Sequence, residues 1–295
     1  MRITSRIMMD RALSNFTSVQ AKLAEFQEQL STGKRIRRPS DDPAGMTRAL
    51  AIRRNQRMST QYRRDIDAGL SRLTATEAGL GSVTDLLQRA RELAVAASND
   101  TVGQTERAQR AAEVQGLLDE AVTIGNLNFA GQYLFAGHQT TAAPFTPVGS
   151  PATAVTYTGD TGVIERDVSV GVRVTVNIPG DQAFGGVFTT LIALRDAMQS
   201  GDTTTLRTSS LADLDAELDK GLQIRGQLAS ATRRLEGTRD RLEQADIAEK
   251  QQLTEIEDAD IVETIVNLNA QQMVYEAALA SAARGMSMTL LNFLS

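Results

Sequence analysis

The sequence predicts a mainly α-helical protein: a long helical-bundle rod with coiled-coil helices at both ends of the chain and a small inserted β domain. Proline is absent from residues 44–143 and 180–295, so long uninterrupted helices can form there. Apolar residues near both chain ends recur at steps of three and four, which is typical of coiled-coil helices. In one middle segment the apolar residues alternate instead, which is typical of a β-strand.

The first predicted helix runs from about Asp10 to Leu30. Its apolar residues follow a strict heptad repeat, the pattern of a helix that is buried along one seam. The members of this stripe are Met9, Ala12, Phe16, Val19, Leu23, Phe26 and Leu30. Gly33 follows as a candidate C-cap, because glycine readily adopts the left-handed conformation that ends many helices.

A segment rich in proline and aspartate separates this helix from the next. Pro39 disfavours helical geometry in the residue before it. Asp42 suits the N-cap position, and Pro43 suits the first helical position, where its missing N–H costs nothing. Capping explains Asp41 and Asp42 better than a catalytic carboxylate pair does, since adjacent side chains at a helix start rarely converge. Gly45 completes this cap motif.

Two further helices are predicted over about residues 43–98 and 105–125. The apolar period then changes to two at residues 168–178, where six apolar side chains alternate with other residues. This alternation predicts one long strand, and residues 154–158 predict a shorter one. Residues 138–187 are therefore expected to form a β insertion inside a helical protein.

Helix is predicted again from about Thr189, with a break at Gly201-Asp202 and a long helix over roughly 208–254. Asp258 or Asp260 then caps a last helix that continues almost to the final residue. The apolar stripe of this helix steps by three and four throughout. Its members are Ile261, Ile265, Leu268, Gln272, Tyr275, Leu279, Ala282, Met286, Thr289 and Phe293.

Both chain ends thus carry apolar stripes, although chain ends are usually polar and frayed. Exposed apolar faces of this size usually mark an interface, so we predict that the two ends pair with each other and with neighbouring copies. An ordinary intramolecular bundle is the alternative. The residues predicted to form this assembly interface are Phe16, Val19, Leu23, Phe26, Leu30, Ile261, Ile265, Leu268, Tyr275, Leu279, Met286 and Phe293.

The reactive side chains favour a structural protein over an enzyme. The chain has no cysteine and one histidine, His138, which excludes disulfides, thiolate chemistry and most histidine-based metal sites. No catalytic residue, metal site or cofactor is predicted. The sequence has no apolar run long enough to span a membrane, and its N-terminus lacks the apolar core of a signal peptide.

The net charge of −5 hides an uneven distribution. Residues 34–64 contain ten Lys/Arg and two Asp, whereas residues 236–260 contain nine Asp/Glu and three Lys/Arg. The two segments are either solvated helix faces or surfaces that attract each other, within one chain or between neighbours. Nucleic-acid binding is disfavoured because Tyr62 is the only aromatic residue among these arginines, and a nucleic-acid-binding coiled coil stays a remote alternative.

Segments at both ends of the chain resemble those of a known family. Leu30–Ile36 and Pro39–Gly45 resemble the N-terminal signature of bacterial flagellins and their junction proteins. Asp260–Ile265, Gln271–Leu279 and Leu290–Leu294 resemble the matching C-terminal signature. The two signatures are long and lie at opposite ends of the chain, which argues against chance.

The middle of the chain distinguishes between members of that family. Gly131–Gly137, Tyr157–Asp160 and Val176–Gly180 resemble segments of its hook–filament junction proteins. Filament flagellin is the alternative, because both kinds of protein share the end motifs.

The resemblance implies a structural subunit of the bacterial flagellum that joins the hook to the flagellin filament and so serves motility. It implies an inner tube domain from residues 1–40 and 255–295. A helical rod would comprise residues 41–137 and 188–254, and an outer β domain would comprise residues 138–187.

The same resemblance implies partners and a location. The expected partners are further copies of the chain in a ring, the first hook-associated protein, flagellin, and an export chaperone that binds before secretion. Neither nucleic acid nor insertion into a membrane is expected. Members of the family leave the cell through the flagellar type III export channel without a cleaved signal peptide, so an extracellular position at the hook–filament junction is expected.

Overall fold

The structure is a computed structural model that describes the backbone of residues 2–294 and the side chains of residue 7 and residues 10–283. Its helices are long, and the predicted mainly α-helical fold class is confirmed. They are α1 (Arg2–Thr32), α2 (Pro43–Ala97), α3 (Gln104–Gly125), α4 (Gly180–Phe184), α5 (Val187–Ser200), α6 (Thr203–Thr205), α7 (Leu211–Glu257) and α8 (Ile261–Leu294). A π-helical turn at Leu206–Ser210 leads into α7.

Asp260 is the residue that caps α8. Its Oδ1 accepts hydrogen bonds from the backbone N–H groups of Val262, at 2.9 Å, and Glu263, at 3.1 Å. These two N–H groups have no partner within the first turn of the helix, so the carboxylate satisfies them. The structure thereby decides between the two predicted caps, Asp258 and Asp260.

Six short strands form three separate two-stranded antiparallel sheets. The pairs are β1 (Asn128–Phe129) with β2 (Gln132–Tyr133), β3 (Phe145–Val148) with β4 (Ala154–Tyr157), and β5 (Glu165–Ser169) with β6 (Val172–Thr175). The shorter predicted strand is confirmed as β4. The strands begin at Asn128, ten residues before the predicted start of the β insertion.

The single long strand predicted for residues 168–178 is wrong, because the chain turns back on itself within that segment. Gly171 has φ +71°, a left-handed conformation that glycine adopts without strain. The turn there joins β5 to β6 as a hairpin and leaves Val170 76% exposed. Val168 and Val174 are buried as predicted. Alternating apolar residues therefore marked the two arms of the hairpin but hid the turn between them.

The chain divides into two compact units, one made of Met1–Arg57 with Ala245–Ser295 and the other of Met58–Gln244. The first unit contains α1 and α8. The second contains every strand named above and α3 to α6. The predicted division into tube, rod and outer β domain stays a prediction.

The core of the second unit combines apolar helix faces with a cluster of phenylalanine rings. The Phe145 ring lies at its centre, with its centroid 5.2 Å from that of Phe184 and 5.0 Å from that of Phe188. Phe135 packs edge-on against Phe184 at 4.9 Å. Within the described residues, no helix is both long and apolar enough to cross a membrane.

Candidate assembly interface

Helices α1 and α8 pair in antiparallel fashion inside the first unit. The rings of Phe16 and Tyr275 lie 5.2 Å apart between centroids. Further along α1, the Val19 carbonyl oxygen accepts a hydrogen bond from Gln271 Nε2 at 3.1 Å. A later residue of α1 thus contacts an earlier residue of α8, so the two helices run antiparallel. They pair within one molecule.

From Phe16 onward, the apolar stripe predicted on α1 forms the half-buried face of that helix. Ala12 is exposed, and Met9 lies outside the described side chains. The other described side chains of α1 are exposed, apart from Gln29. The half-buried members of the stripe are Phe16, Val19, Leu23, Phe26 and Leu30. The heptad repeat therefore identified the packed face of this helix from sequence.

The stripe predicted on α8 needs a correction at alternate positions. Leu268 and Tyr275 are half-buried as expected, but Ile265 and Leu279 are 42% and 44% exposed. The packed stripe of α8 is Thr264, Leu268, Gln271, Tyr275, Ala278 and Ala282. It has the same heptad spacing and shares Leu268, Tyr275 and Ala282 with the predicted stripe. At the alternate positions, Thr264, Gln271 and Ala278 are packed in place of their predicted neighbours. Met286 and Phe293 lie outside the described side chains.

An exposed apolar strip covers the part of α8 that does not face α1. Its members are between 42% and 74% exposed. They are Ile261, Val262, Ile265, Val266, Met273, Val274 and Leu279. Soluble proteins expose single apolar side chains widely, but seven of them along one helix indicate an interaction surface. We call this set the α8 strip.

The linker between α1 and α2 is held by its two aspartates. Gly33 ends α1 with φ +69°. Asp41 Oδ2 accepts hydrogen bonds from the N–H groups of Arg38, at 2.8 Å, and Arg37, at 3.1 Å. Asp41 thus caps the turn that contains Pro39 and does not cap α2, a role that the sequence did not suggest.

Asp42 caps α2 as predicted. Its Oδ1 accepts the Gly45 N–H at 2.9 Å, and Pro43 is the first residue of the helix. Gly45 is buried against Ile36. A Cβ atom at Gly45 would lie 2.6 Å from Ile36 Cδ1 and 2.5 Å from Asp42 Oδ2. A glycine is therefore needed at this position for packing.

Gly45→Ala is expected to destabilise the start of α2 by about 1–2 kcal/mol, because the steric clash outweighs alanine's better helix propensity. Gly81→Ala is the matched control in the same helix, since a Cβ atom there meets nothing within 4 Å. The control is expected to gain up to about 1 kcal/mol. Urea unfolding measures both effects, and hydrogen exchange at the Met46 amide should accelerate in Gly45→Ala alone. Equal effects of the two variants would refute the packing role.

The turn that Asp41 caps is expected to loosen in acid. Hydrogen bonds from the N–H groups of Arg38 and then Arg37 hold the pKa of Asp41 below its ordinary value. Because the folded-state pKa is the lower one, the stabilisation is present above about pH 4 and is lost as the pH falls through the folded-state pKa. Exchange of the Arg37 and Arg38 amides, measured against pH, should show this step. Asp41→Asn should remove it, and an unchanged step in that variant would contradict the assignment.

Glu257, at the end of α7, is a site residue that sequence reasoning missed. Its side chain is 1% exposed, and Oε2 binds Lys34 Nζ at 3.0 Å and Arg53 Nη2 at 2.5 Å. Its backbone carbonyl oxygen accepts the N–H groups of Arg35, at 2.7 Å, and Ile36, at 3.2 Å. One residue thus ties the linker and α2 to the end of α7. We call this set of contacts the Glu257 node.

The Glu257 node shows how the two oppositely charged segments meet. Lys34 and Arg53 belong to the basic segment, and Glu257 belongs to the acidic one. At this point, their ion pairs favour attraction within one chain over the alternative of solvated helix faces. The Ala259 N–H donates to the Gly33 carbonyl oxygen at 2.9 Å, so backbone bonds reinforce the charge pairing.

The chain's histidine lies in the second unit and not in the unit of the paired terminal helices. His138 lies on an exposed loop, where its backbone N–H donates to Asp160 Oδ1 at 2.7 Å. Among the described residues, no three His, Cys, Asp or Glu side chains are grouped so as to hold a metal ion.

Long paired helices at the two chain ends, an exposed apolar strip and a small β region define a mainly helical protein with an apolar face that α1 leaves uncovered. The model of the bacterial flagellin N-terminal helical region matches residues 3–140, and that of the C-terminal helical region matches residues 211–294. The chain belongs to the bacterial flagellin family. The resemblance found in the sequence is thereby confirmed.

Within this family, the chain is similar to flagellar hook-associated protein 3. It is 28% identical to that protein of Escherichia coli K12, over 94% of this chain and 95% of the relative. It is 31% identical to that of Salmonella typhimurium, over 68% of this chain and 62% of the relative. The crystal structure of Bacillus cereus FlgL covers 69% of this chain and 99% of its own, with 25% identity and a TM-score of 0.61.

Proposed function

We propose that this chain is a structural subunit of the bacterial flagellum that assembles with further copies at the joint between hook and filament. The α8 strip carries the proposal, because its apolar side chains face solvent although α8 already packs against α1. The likeness to hook-associated protein 3 extends through the middle of the chain as well as both ends. That extent favours a junction subunit over a filament flagellin, since the two share the end motifs.

The two terminal helices differ in what they offer a neighbouring copy. Within the described side chains of α1, the exposed large apolar residues are Ile7 and Leu13. The α8 strip is larger, so α8 of one copy would bury it against a different surface of the next. Such a heterologous contact builds rings or helices and does not stop at a pair.

The domain roles follow as part of the proposal. Residues 1–40 and 255–295 would form an inner tube in which α1 and α8 pair and the α8 strip contacts neighbouring copies. Residues 41–137 and 188–254 would form a rod around it. Residues 138–187 would form an outer β domain, in keeping with the exposed hairpin turn at Val170.

Partners and location complete the proposal. The chain would bind the first hook-associated protein on one side and flagellin on the other, after an export chaperone has released it. It would leave the cell through the flagellar export channel without a cleaved signal peptide. It would have no enzymatic activity, in keeping with relatives named for their place in the flagellum.

Deletion of the chain from the bacterium that produces it tests the proposal. Electron microscopy should show hooks without filaments and filament protein released into the medium, and the restored chain should reattach filaments. If cells without the chain still carry attached filaments, the junction role is excluded. The chain is a filament flagellin if two results occur together. The purified chain forms long filaments, and cells that lack the chain have no such filaments.

A further inference from the structure

A groove lined by arginines lies between α7 and the β5–β6 hairpin, inside the second unit. It encloses about 450 Å³. Arg233, Arg234 and Arg241 line its helical wall, and their spacing places them on one face of α7. Val172 and Val174 of β6 line the opposite wall. We call this feature the arginine groove.

The three arginines have no carboxylate partners among the described residues. Other arginines of α7 differ, because Arg225 pairs with Glu77 at 2.8 Å. Arg241 Nη2 instead donates to the Thr238 hydroxyl at 2.9 Å. Three guanidinium groups therefore share one groove without a counter-ion, and a guanidinium fork matches the geometry of a carboxylate.

The walls of the groove favour a peptide over a nucleic acid. Among the residues whose side chains the structure describes, no aromatic residue lines it, so bases would have nothing to stack on. Val172 is 42% exposed and offers an apolar surface to the aliphatic part of an acidic side chain.

Gly237 keeps the helical wall of the groove open. A Cβ atom at this position would meet one atom within 4 Å, Arg241 Nη1 at 3.9 Å. A longer side chain here therefore fits the helix but occupies the groove. A glutamate would also lie three or four residues from each of the three arginines, within reach of an ion pair.

We propose that the arginine groove binds an acidic peptide segment of a partner protein, whose Asp and Glu carboxylates pair with Arg233, Arg234 and Arg241. The exposed side chain of Val172, on the opposite wall, packs against the rest of the peptide. This site is separate from the α8 strip and does not depend on the proposed junction role.

Fluorescence anisotropy with the full chain tests the proposal. The probe is a labelled peptide of residues 249–260, which carries five acidic residues and one lysine. At about 50 mM salt, where screening is weak, we expect a Kd below about 100 µM. Binding should weaken about tenfold or more when salt is raised to about 300 mM. A peptide with every Asp and Glu replaced by its amide should not bind.

Two variants address the groove directly. Arg233→Gln/Arg234→Gln and, separately, Gly237→Glu should each weaken binding about tenfold or more. Gly237→Glu should leave the melting temperature unchanged or raise it, because glycine is a poor helix former. Arg110→Gln is the matched control, since Arg110 lies on α3, outside the groove lining.

Three results would overturn the proposal. The first is an acidic peptide that does not bind or binds no better than its amide form. The second is unchanged affinity in both groove variants. The third is tighter binding of a single-stranded oligonucleotide or a heparin fragment of equal charge, which would make the groove a general polyanion site.

Discussion

Replacing both Lys34 and Arg53 by methionine is expected to destabilise the first unit by about 3–5 kcal/mol, because the Glu257 carboxylate then stays buried without a counter-ion. Glu257 is 1% exposed, whereas the two basic side chains are 40% and 42% exposed. Removing the two cations therefore costs more than removing the carboxylate, because water can solvate the cations but not the buried carboxylate. Hydrogen exchange at the Arg35 and Ile36 amides, which bind the Glu257 carbonyl oxygen, should accelerate about 100-fold or more.

The matched controls separate charge burial from loss of packing. Glu257→Gln leaves two half-exposed cations that water can solvate, so its expected cost is smaller, about 1 kcal/mol. Adding Glu257→Met to the double variant removes the buried charge and should recover most of the loss. The account of the Glu257 node would be wrong if Glu257→Gln cost as much as the double variant.

Replacing Val262 and Val266 by glutamine is expected to abolish assembly while leaving the monomer folded. The two side chains are 74% and 61% exposed, and glutamine has a better helix propensity than valine, so folding should change by less than about 0.5 kcal/mol. Burial of both valines against a neighbouring copy would be worth about 3 kcal/mol. Incorporation into flagella, measured in sheared preparations by immunoblot, should fall about tenfold or more.

The control for this pair is an exposed apolar residue of the second unit. Leu222 on α7 is 56% exposed, and Leu222→Gln should assemble as the unchanged chain does. A melting temperature that falls as far as incorporation does would show that the α8 strip stabilises the monomer and is not an assembly surface.

The sequence predicted α1 better than α8 for a physical reason. On α1, the apolar stripe has polar or small neighbours, so only one heptad of large apolar residues can be drawn along the helix. Its members include Phe16, Val19, Leu23 and Phe26. On α8, large apolar residues lie beside the packed positions, as Ile265 does beside Thr264. A helix with two apolar faces does not reveal from its own sequence which face meets its partner.

The linker shows what local patterns convey and what they miss. The Asp42 and Pro43 cap was predictable because it depends on neighbours along the chain. Glu257 was not, since its partners Lys34 and Arg53 lie more than 200 residues away in sequence. Charge asymmetry left open whether the two segments attract, and it could not select which of the nine acids pairs with Lys34 and Arg53.

The middle of the chain shows a different limit. The alternation at residues 168–178 correctly placed Val168 and Val174 in the core. The alternation of apolar residues nevertheless continues unbroken across the turn at Gly171, so it does not reveal that turn. The glycine alone marked the reversal, and a single glycine is also compatible with a strand.

Cysteine labelling of the α8 strip tests the central claim most directly, because the chain contains no cysteine of its own. Val266→Cys should react with a maleimide in the purified chain and become protected in assembled flagella. Val170→Cys, in the 76% exposed hairpin turn, should react in both states. Protection of Val266→Cys on assembly is the predicted result, and equal labelling of Val266→Cys before and after assembly would contradict the account.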